Sequence, residues 1–199
     1  MTFHQIFLPA FSLVFILQVF VIRSVILWKK TGVNPFVFGK TENAHDYIGR
    51  VYKAMTVGTW IAIGSYSFIP DTYQYLMPMW YLESAIVQQV GVGLLLFAFI
   101  WIIVAQFQMS NSWRIGINYE ETTKLIDHGL FGVSRNPIFL GVLISYVGTF
   151  LVIPNALTFS LTAITFISIQ VQVRMEEEYL QKSHGEEYIQ YQKKVRRWI

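Results

Sequence analysis

The chain has 199 residues, of which 54% are hydrophobic, 17% aromatic and 14% charged, with a mean hydropathy of +0.44. The charged fraction falls well below the ~25% of soluble domains, which excludes a disordered chain and an ordinary soluble domain and points to lipid as the solvent. Fifteen Lys and Arg against twelve Asp and Glu leave a net charge of +3, and the absence of cysteine excludes disulfides, thiolate metal sites and a catalytic thiol.

Five long apolar stretches are expected to be helices. The first, residues 6–28, contains LVFILQVFVI and meets Lys29-Lys30 rather than a small-residue cleavage site, so it is expected to stay in the membrane. Arg23 lies about a turn and a half inside its inner end, where a long cation can snorkel. The second stretch covers residues 51–69, and the third covers 84–109 with the core GVGLLLFAFIWIIVA. Gly91-Val92-Gly93 reads as close helix packing, since no strand precedes it as a dinucleotide fingerprint requires. The fourth, 137–153, and the fifth, 155–173, meet at Pro154-Asn155, the mark of a tight helical hairpin. At ~1.5 Å per residue the fourth reaches about 26 Å, just short of a ~30 Å hydrocarbon core.

The cations fix an expected orientation. Fourteen of the fifteen lie in the first loop (Lys29, Lys30, Lys40, Arg50, Lys53), the third loop (Arg114, Lys124, Arg135) or the tail from Arg174 onward; Arg23 is the exception. By the positive-inside tendency the N-terminus lies outside and the C-terminus in the cytoplasm. Cytoplasmic anchoring accounts for the basic balance without nucleic acid. The fold class is therefore all-α, a polytopic bundle of about five transmembrane helices with a cytoplasmic C-terminal amphipathic helix, in a single domain 1–199. Oligomeric state is not legible.

Polar chemistry gathers on the cytoplasmic side. In HGLFGVSRNPIFLG, residues 128–141, Asn136 and Pro137 suit the N-cap and first turn of the fourth helix. The same helix N-terminus beside Arg135 suits a carboxylate or phosphate, and both readings can hold together. The fifth helix continues into QVQVRMEEEYLQKSHGEEYIQYQKKVRRWI, where Gln170, Arg174, Glu177 and Gln181 fall on one helical stripe. Arg174 can pair with Glu177 or Glu178 on a solvated face, yet Gln170 and Arg174 sit where polar groups are costly unless they face protein or a wet cavity. Tyr188, Tyr191, Val195 and Trp198 form an apolar stripe flanked by cations, which reads as an interfacial helix. His4, His45, His128 and His184 lack metal-ligand spacing, so no metal is expected, and no P-loop or nucleophile elbow occurs.

At these residues the sequence resembles the isoprenylcysteine carboxyl methyltransferase family of integral membrane enzymes, in its bacterial branch. The family pattern has a glycine, then R-H/N-P-x-Y/F-x-G opening a membrane helix, a tight hairpin, R-x-E-E and a G-x-x-Y-x-x-Y tail. The matching residues are Gly129, the run Arg135-Asn136-Pro137-Ile138-Phe139-Leu140-Gly141, Arg174-Met175-Glu176-Glu177, and Gly185 with Tyr188 and Tyr191. Trp113-Arg114-Ile115-Gly116-Ile117 also looks like bacterial members, so the likeness covers residues 112–199. It implies a methyltransferase that uses S-adenosyl-L-methionine without a Rossmann domain. His128, Gly129, Arg135, Asn136, Pro137, Gly141, Glu176 and Glu177 would hold the cofactor, with Tyr188 and Tyr191 closing the site. Arg174 and Glu177 would be catalytic, Arg174 by orienting an anionic substrate group. Asn136 stands where eukaryotic members have histidine, and Phe139 where many have tyrosine.

An asparagine is no titrating base, which suits a carboxylate acceptor already ionised near neutral pH. The implied substrate is lipidic or prenylated, among membrane lipids, and the implied reaction is carboxyl O-methylation. Phospholipid or other amine N-methylation, a membrane scaffold without activity and a reductase of sterol-like lipids are the alternatives.

Overall fold

The computed structural model describes residues 1–32, 44–110, 116 and 124–199. Of the motif at Trp113 to Ile117 only Gly116 falls among them, and Lys40 and Arg114 also lie outside the described residues. Five long helices occur where the apolar stretches place them: α1 (Phe3–Thr31), α2 (Ala44–Phe68), α3 (Ala85–Met109), α4 (Pro137–Val152) and α5 (Ala156–His184). A shorter helix, α6 (Glu186–Lys194), follows. Helices α1, α3 and α5 are long and apolar enough to cross a membrane, and α4 is a shorter apolar helix. Their large apolar side chains point mostly outward, among them Leu13 and Ile26 of α1, Ile86 and Phe107 of α3, and Phe166 and Ile167 of α5. Such a surface suits lipid and would aggregate in water.

Capping fixes where the helices begin. Thr2 and Gln5 form a reciprocal capping box that opens α1, and Ser84 accepts from the Val87 N–H to open α3. At the hairpin, fully buried Asn155 accepts from Thr158 N at 3.0 Å while its own N–H donates to Thr158 Oγ1 at 3.2 Å. The turn from α4 into α5 is thereby satisfied without water. The loop before α3 covers it, with Met79 N donating to Pro154 O at 2.8 Å.

Helices α3 and α4 pack antiparallel at backbone distance. A Cβ built on Gly91 would stand 2.8 Å from Gly148 O, and one on Gly141 would stand 2.5 Å from Ile102 Cγ1. Eleven residues separate Gly91 from Ile102 on α3, and seven separate Gly148 from Gly141 on α4, so glycine keeps the two axes close over two helical turns. Trp101 Nε1 then donates to Pro137 O at 2.8 Å, fixing the first turn of α4 against α3.

Helix α1 carries a π-helical segment at Leu17–Ile22. The Val19 carbonyl in this wide turn accepts from Gln106 Nε2 of α3 at 2.9 Å. Arg23, expected to snorkel, instead donates through Nη2 to Gln106 O at 2.9 Å and Ser110 O at 2.6 Å. Those carbonyls lie at the negative end of α3, where the dipole and the orphan acceptors both favour a cation. Phe11 and Phe15 add ring contacts to Phe99 at 5.8 and 5.9 Å.

Gly91→Ala should lower stability in detergent by about 1–3 kcal/mol through overpacking. Gly93→Ala, where a Cβ meets nothing within 4 Å, should instead be neutral or raise stability by up to about 1 kcal/mol. Thermal unfolding of the two variants checks this, and equal shifts would contradict the packing described.

Candidate functional site

Helix α5 is continuous across the change from apolar to polar sequence, so its extension beyond Val173 stands beside the loop that enters α4. A strap of residues 195–197 lies along residues 134–136: Arg135 N donates to Arg196 O at 3.0 Å, and Asn136 Nδ2 donates to Arg197 O at 3.2 Å. Tyr188, Tyr191 and Val195 pack beneath the strap with Leu125 and Leu180. The Tyr191 hydroxyl donates to Phe131 O at 2.6 Å. This apolar stripe, expected to lie on the bilayer surface, is therefore spent on the protein, because the turn at Gly185 (φ +54) folds α6 back. Burial pushes both tyrosine hydroxyls above their ordinary pKa, so they stay protonated.

At the centre lies Glu177, buried between two guanidinium groups. Arg135 Nη2 donates to Oε1 at 2.8 Å and Arg197 Nη2 to Oε2 at 2.7 Å. Arg135 Nη1 donates in turn to Val195 O at 2.8 Å and Gln192 O at 3.2 Å. Burial raises the Glu177 carboxyl, but hydrogen bonds from Arg197 and Arg135 outweigh it and hold the group below the usual range. Glu176, its neighbour in sequence, lines a cavity instead. Burial first, and then the charge of Glu177, push its carboxyl up to about 7.

The cavity that Glu176 lines has a volume of about 420 Å³ and runs between α1, α2, α3, α4 and α5. Its polar end is formed by Arg135, Asn136, Pro137, Gln172, Glu176 and Lys53. Farther in, Phe15, Val19, Trp60, Leu95, Val142 and Ile169 make the wall apolar. Lining residues on α4 run from Pro137 to Thr149, a depth of about 18 Å at ~1.5 Å per residue. The volume lies in the roughly 300–1,000 Å³ range of small-molecule sites.

Of the residues expected to form the site, Arg135, Asn136, Pro137 and Glu176 line the cavity. Glu177 holds the strap, Tyr188 and Tyr191 support it, and Gly141 admits Ile102 and Trp101. Gly129 adopts φ +61 with the Gln108 side chain where a Cβ would be, while Leu130 N donates to Gln108 Oε1 at 2.8 Å. His128 is exposed beside Asp127, away from the cavity. Arg174 is exposed and donates to Gln170 O at 2.7 Å, so it neither pairs with Glu177 nor reaches the cavity. The polar stripe therefore differs from expectation: Thr165, Ile169, Gln172 and Glu176 face the cavity, while Gln170 and Arg174 belong to another face. Asn136 occupies the N-cap position without a side-chain cap, since its amide is turned to the strap. Among the described residues no cluster suits a metal ion. Sequence reasoning missed Arg197, which nothing distinguishes from its cationic neighbours, and Lys53 and Gln172, which only the fold brings together.

Fold and site together define a helical membrane protein with a buried polar site at the end of an apolar cavity. The model of the phospholipid methyltransferase family matches residues 86–187, and the chain belongs to that family. The chain is 37% identical over 82 residues to a probable protein-S-isoprenylcysteine O-methyltransferase of Oryza sativa subsp. japonica, covering 41% of this chain and 43% of that protein. To protein-S-isoprenylcysteine O-methyltransferase A of Arabidopsis thaliana it is 33% identical over 84 residues, 41% of this chain and 42% of that one. The matches thus span less than half the length of these curated relatives. The solved eukaryotic intramembrane Ras methyltransferase, isoprenylcysteine carboxyl methyltransferase, shares the fold with a TM-score of 0.59 at 18% identity, over 87% of this chain and 58% of that one. The resemblance read from the motifs is borne out.

Glu177→Ala would leave Arg135 buried without its carboxylate and release the partly exposed Arg197, a loss of about 3–5 kcal/mol for the broken buried pair. Thermal unfolding should show this together with faster tryptic release of the segment beyond Lys194. Wild-type rates of cleavage would show that Glu177 does not hold the strap.

Proposed function

We propose that this chain is a membrane methyltransferase that uses S-adenosyl-L-methionine to O-methylate the carboxylate of a lipidic acceptor of the isoprenylcysteine type. The observation that carries the reading is the cavity itself: a deep apolar channel that ends at Glu176, Arg135 and the first turn of α4. Kinship with isoprenylcysteine O-methyltransferases supports the same chemistry.

The residues present suit the cofactor. Because the Asn136 side chain does not cap α4, the first-turn N–H groups remain directed at the site and favour a carboxylate. Glu176 supplies a carboxylate for an ammonium or a ribose hydroxyl. When bound, S-adenosylmethionine supplies a methyl group activated on a sulfonium. An acceptor carboxylate, already ionised near neutral pH, would take that methyl without losing a proton, so no base is asked of these residues. The chain has then only to bind, align and exclude water. Lys53, a cation on the cavity wall, takes the role first given to Arg174 of meeting an anionic acceptor group. With Lys and Arg concentrated at this end, the site faces the cytoplasm.

A second reading, amine N-methylation, draws on the family's phospholipid methyltransferase description and on Glu176, whose carboxyl at about 7 can take a proton from an ammonium. Transfer of labelled methyl into a membrane lipid extract separates the two, since only an ester is released by base. A base-stable product would overturn carboxyl methylation.

Ionised Glu176 should favour the protonated amine of S-adenosylhomocysteine. With its carboxyl at about 7, the group is mostly neutral at pH 6 and mostly charged at pH 8. Affinity should therefore rise about tenfold between those values as the charged fraction grows. Glu176→Gln should flatten the profile, and a dissociation constant independent of pH in the wild type would remove Glu176 from the cofactor site.

A further inference from the structure

The turn at Gly185 brings the chain back to the membrane. Helix α5 extends eleven residues beyond Val173 to His184, about 16 Å at ~1.5 Å per residue, and the nine residues of α6 return over about 13 Å. The strap that follows is hydrogen-bonded to residues 134–136, immediately before Pro137 opens α4. With 16 residues, about 24 Å, α4 has no length to spare in a ~30 Å hydrocarbon core. The residues before it therefore stand in the headgroup layer, which adds roughly 5–7 Å on each side. The strap is held at that level.

Its inner contacts decide which side chains face outward. Val195 is buried in extended backbone and Arg197 reaches Glu177, so Arg196 between them points away from the protein, as alternate residues of an extended segment do. Arg196 is exposed, and so are Lys193 and Lys194 in the last turn of α6. Among the described residues none of the three pairs with a carboxylate. The acidic residues of α6, Glu186 and Glu187, lie in its first turn, at the end away from the membrane. The helix dipole accounts for lysines in a last turn. It does not account for Arg196, which stands beyond the helix and whose carbonyl accepts from Arg135 N at 3.0 Å.

We propose that the strap docks on anionic phospholipid headgroups through Lys193, Lys194 and Arg196, and that this contact keeps it seated against the loop before α4. Charge and depth together select the lipid surface, since three unpaired cations stand at the level where lipid phosphates lie. Each cation near an anionic surface gains about fivefold in binding, so three gain up to about a hundredfold, and salt screens the effect. The path to the site is short: the Arg196 side chain meets lipid, the Arg196 carbonyl holds Arg135 N, and the Arg135 guanidinium holds Glu177. Lipid charge thereby reaches the polar end of the cavity without a lipid entering it. The consequence for cofactor affinity rests on the cofactor reading proposed above; the docking does not.

The test places the full chain in nanodiscs of phosphatidylcholine alone or of an equal mixture of phosphatidylcholine and phosphatidylglycerol. Amide deuterium exchange is followed without cofactor in peptides covering residues 130–136 and 190–199. The Arg135 amide, which donates to the strap, is a reporter that no substitution touches. In the wild type its exchange should be about tenfold slower in the anionic discs, and high salt should remove the difference. Lys193→Gln, Lys194→Gln and Arg196→Gln together should abolish the protection. Equal exchange in the two discs, or protection that survives in the triple variant, would overturn the proposal. So would equal protection by inorganic phosphate added to phosphatidylcholine discs, which would assign the cations to a free anion. If the triple variant does not fold, the wild-type comparison and Arg196→Gln alone decide. S-adenosylhomocysteine affinity should rise with phosphatidylglycerol in the wild type only, and protection without that rise would break the link to the site. Absence of binding in both discs would count against the cofactor reading alone, because exchange reports on the strap by itself.

Discussion

The arrangement depends on one carboxylate. Glu177 is buried between Arg135 and Arg197, and each arginine belongs to a different segment, the entry to α4 and the C-terminal strap. A charge at this depth is tolerated only when paired and hydrogen-bonded, and here both oxygens of the carboxylate are engaged. Arg135 carries the link onward to two backbone carbonyls of the tail. Helix α5, the loop before α4 and the strap are thereby tied at one point, and the polar end of the cavity forms beside it.

That tie makes local sequence and long-range structure interdependent. Pro137 can begin α4 with no N–H to satisfy, and Gly141 lets the helix rest on Ile102, so α4 starts where Trp101 holds the Pro137 carbonyl. At the far end, Val152 and Ile153 are wholly buried with Leu8, Ala62, Ile63 and Leu95. The cavity lies between these two fixed ends. Helix α1, which forms much of its apolar wall, is held by the Arg23 and Gln106 hydrogen bonds near one end and by the Leu8 core at the other.

Much of the helix layout was legible because its signals are local. Apolar runs, the Pro154-Asn155 junction and the proline at the head of α4 each act within a few residues, and they place most helix ends to within about three positions, although α2 begins at Ala44, seven residues before its apolar stretch. Which face of α5 meets the cavity was not legible. In QVQVRMEEE, both Gln170 and Gln172 begin a polar series with helical spacing, and only packing against α2 and α4 selects the second. The roles of Arg174 and Arg197 were reversed for a related reason: sequence proximity favours Arg174 as a partner of Glu177, whereas the turn at Gly185 brings Arg197 back from twenty residues away. Arg23 likewise reads as a snorkelling cation until the end of α3 is seen beside it.

Two adjacent glutamates show how one motif acquires two functions. Successive residues on a helix point about 100° apart, so Glu176 and Glu177 cannot share an environment. Glu177 meets two cations and is held ionised; burial first, and then the fixed charge of Glu177, raise Glu176 to about 7. A pair of like groups driven apart in this way separates a structural charge from a titratable one. The separation is directional: if Glu177 lost its arginines it would become harder to ionise, and the charge opposing ionisation of Glu176 would fall. The strap that closes the protein's surface therefore also contributes, through Glu177, to the protonation of the carboxyl inside the cavity, although no residue of the strap itself lines the cavity.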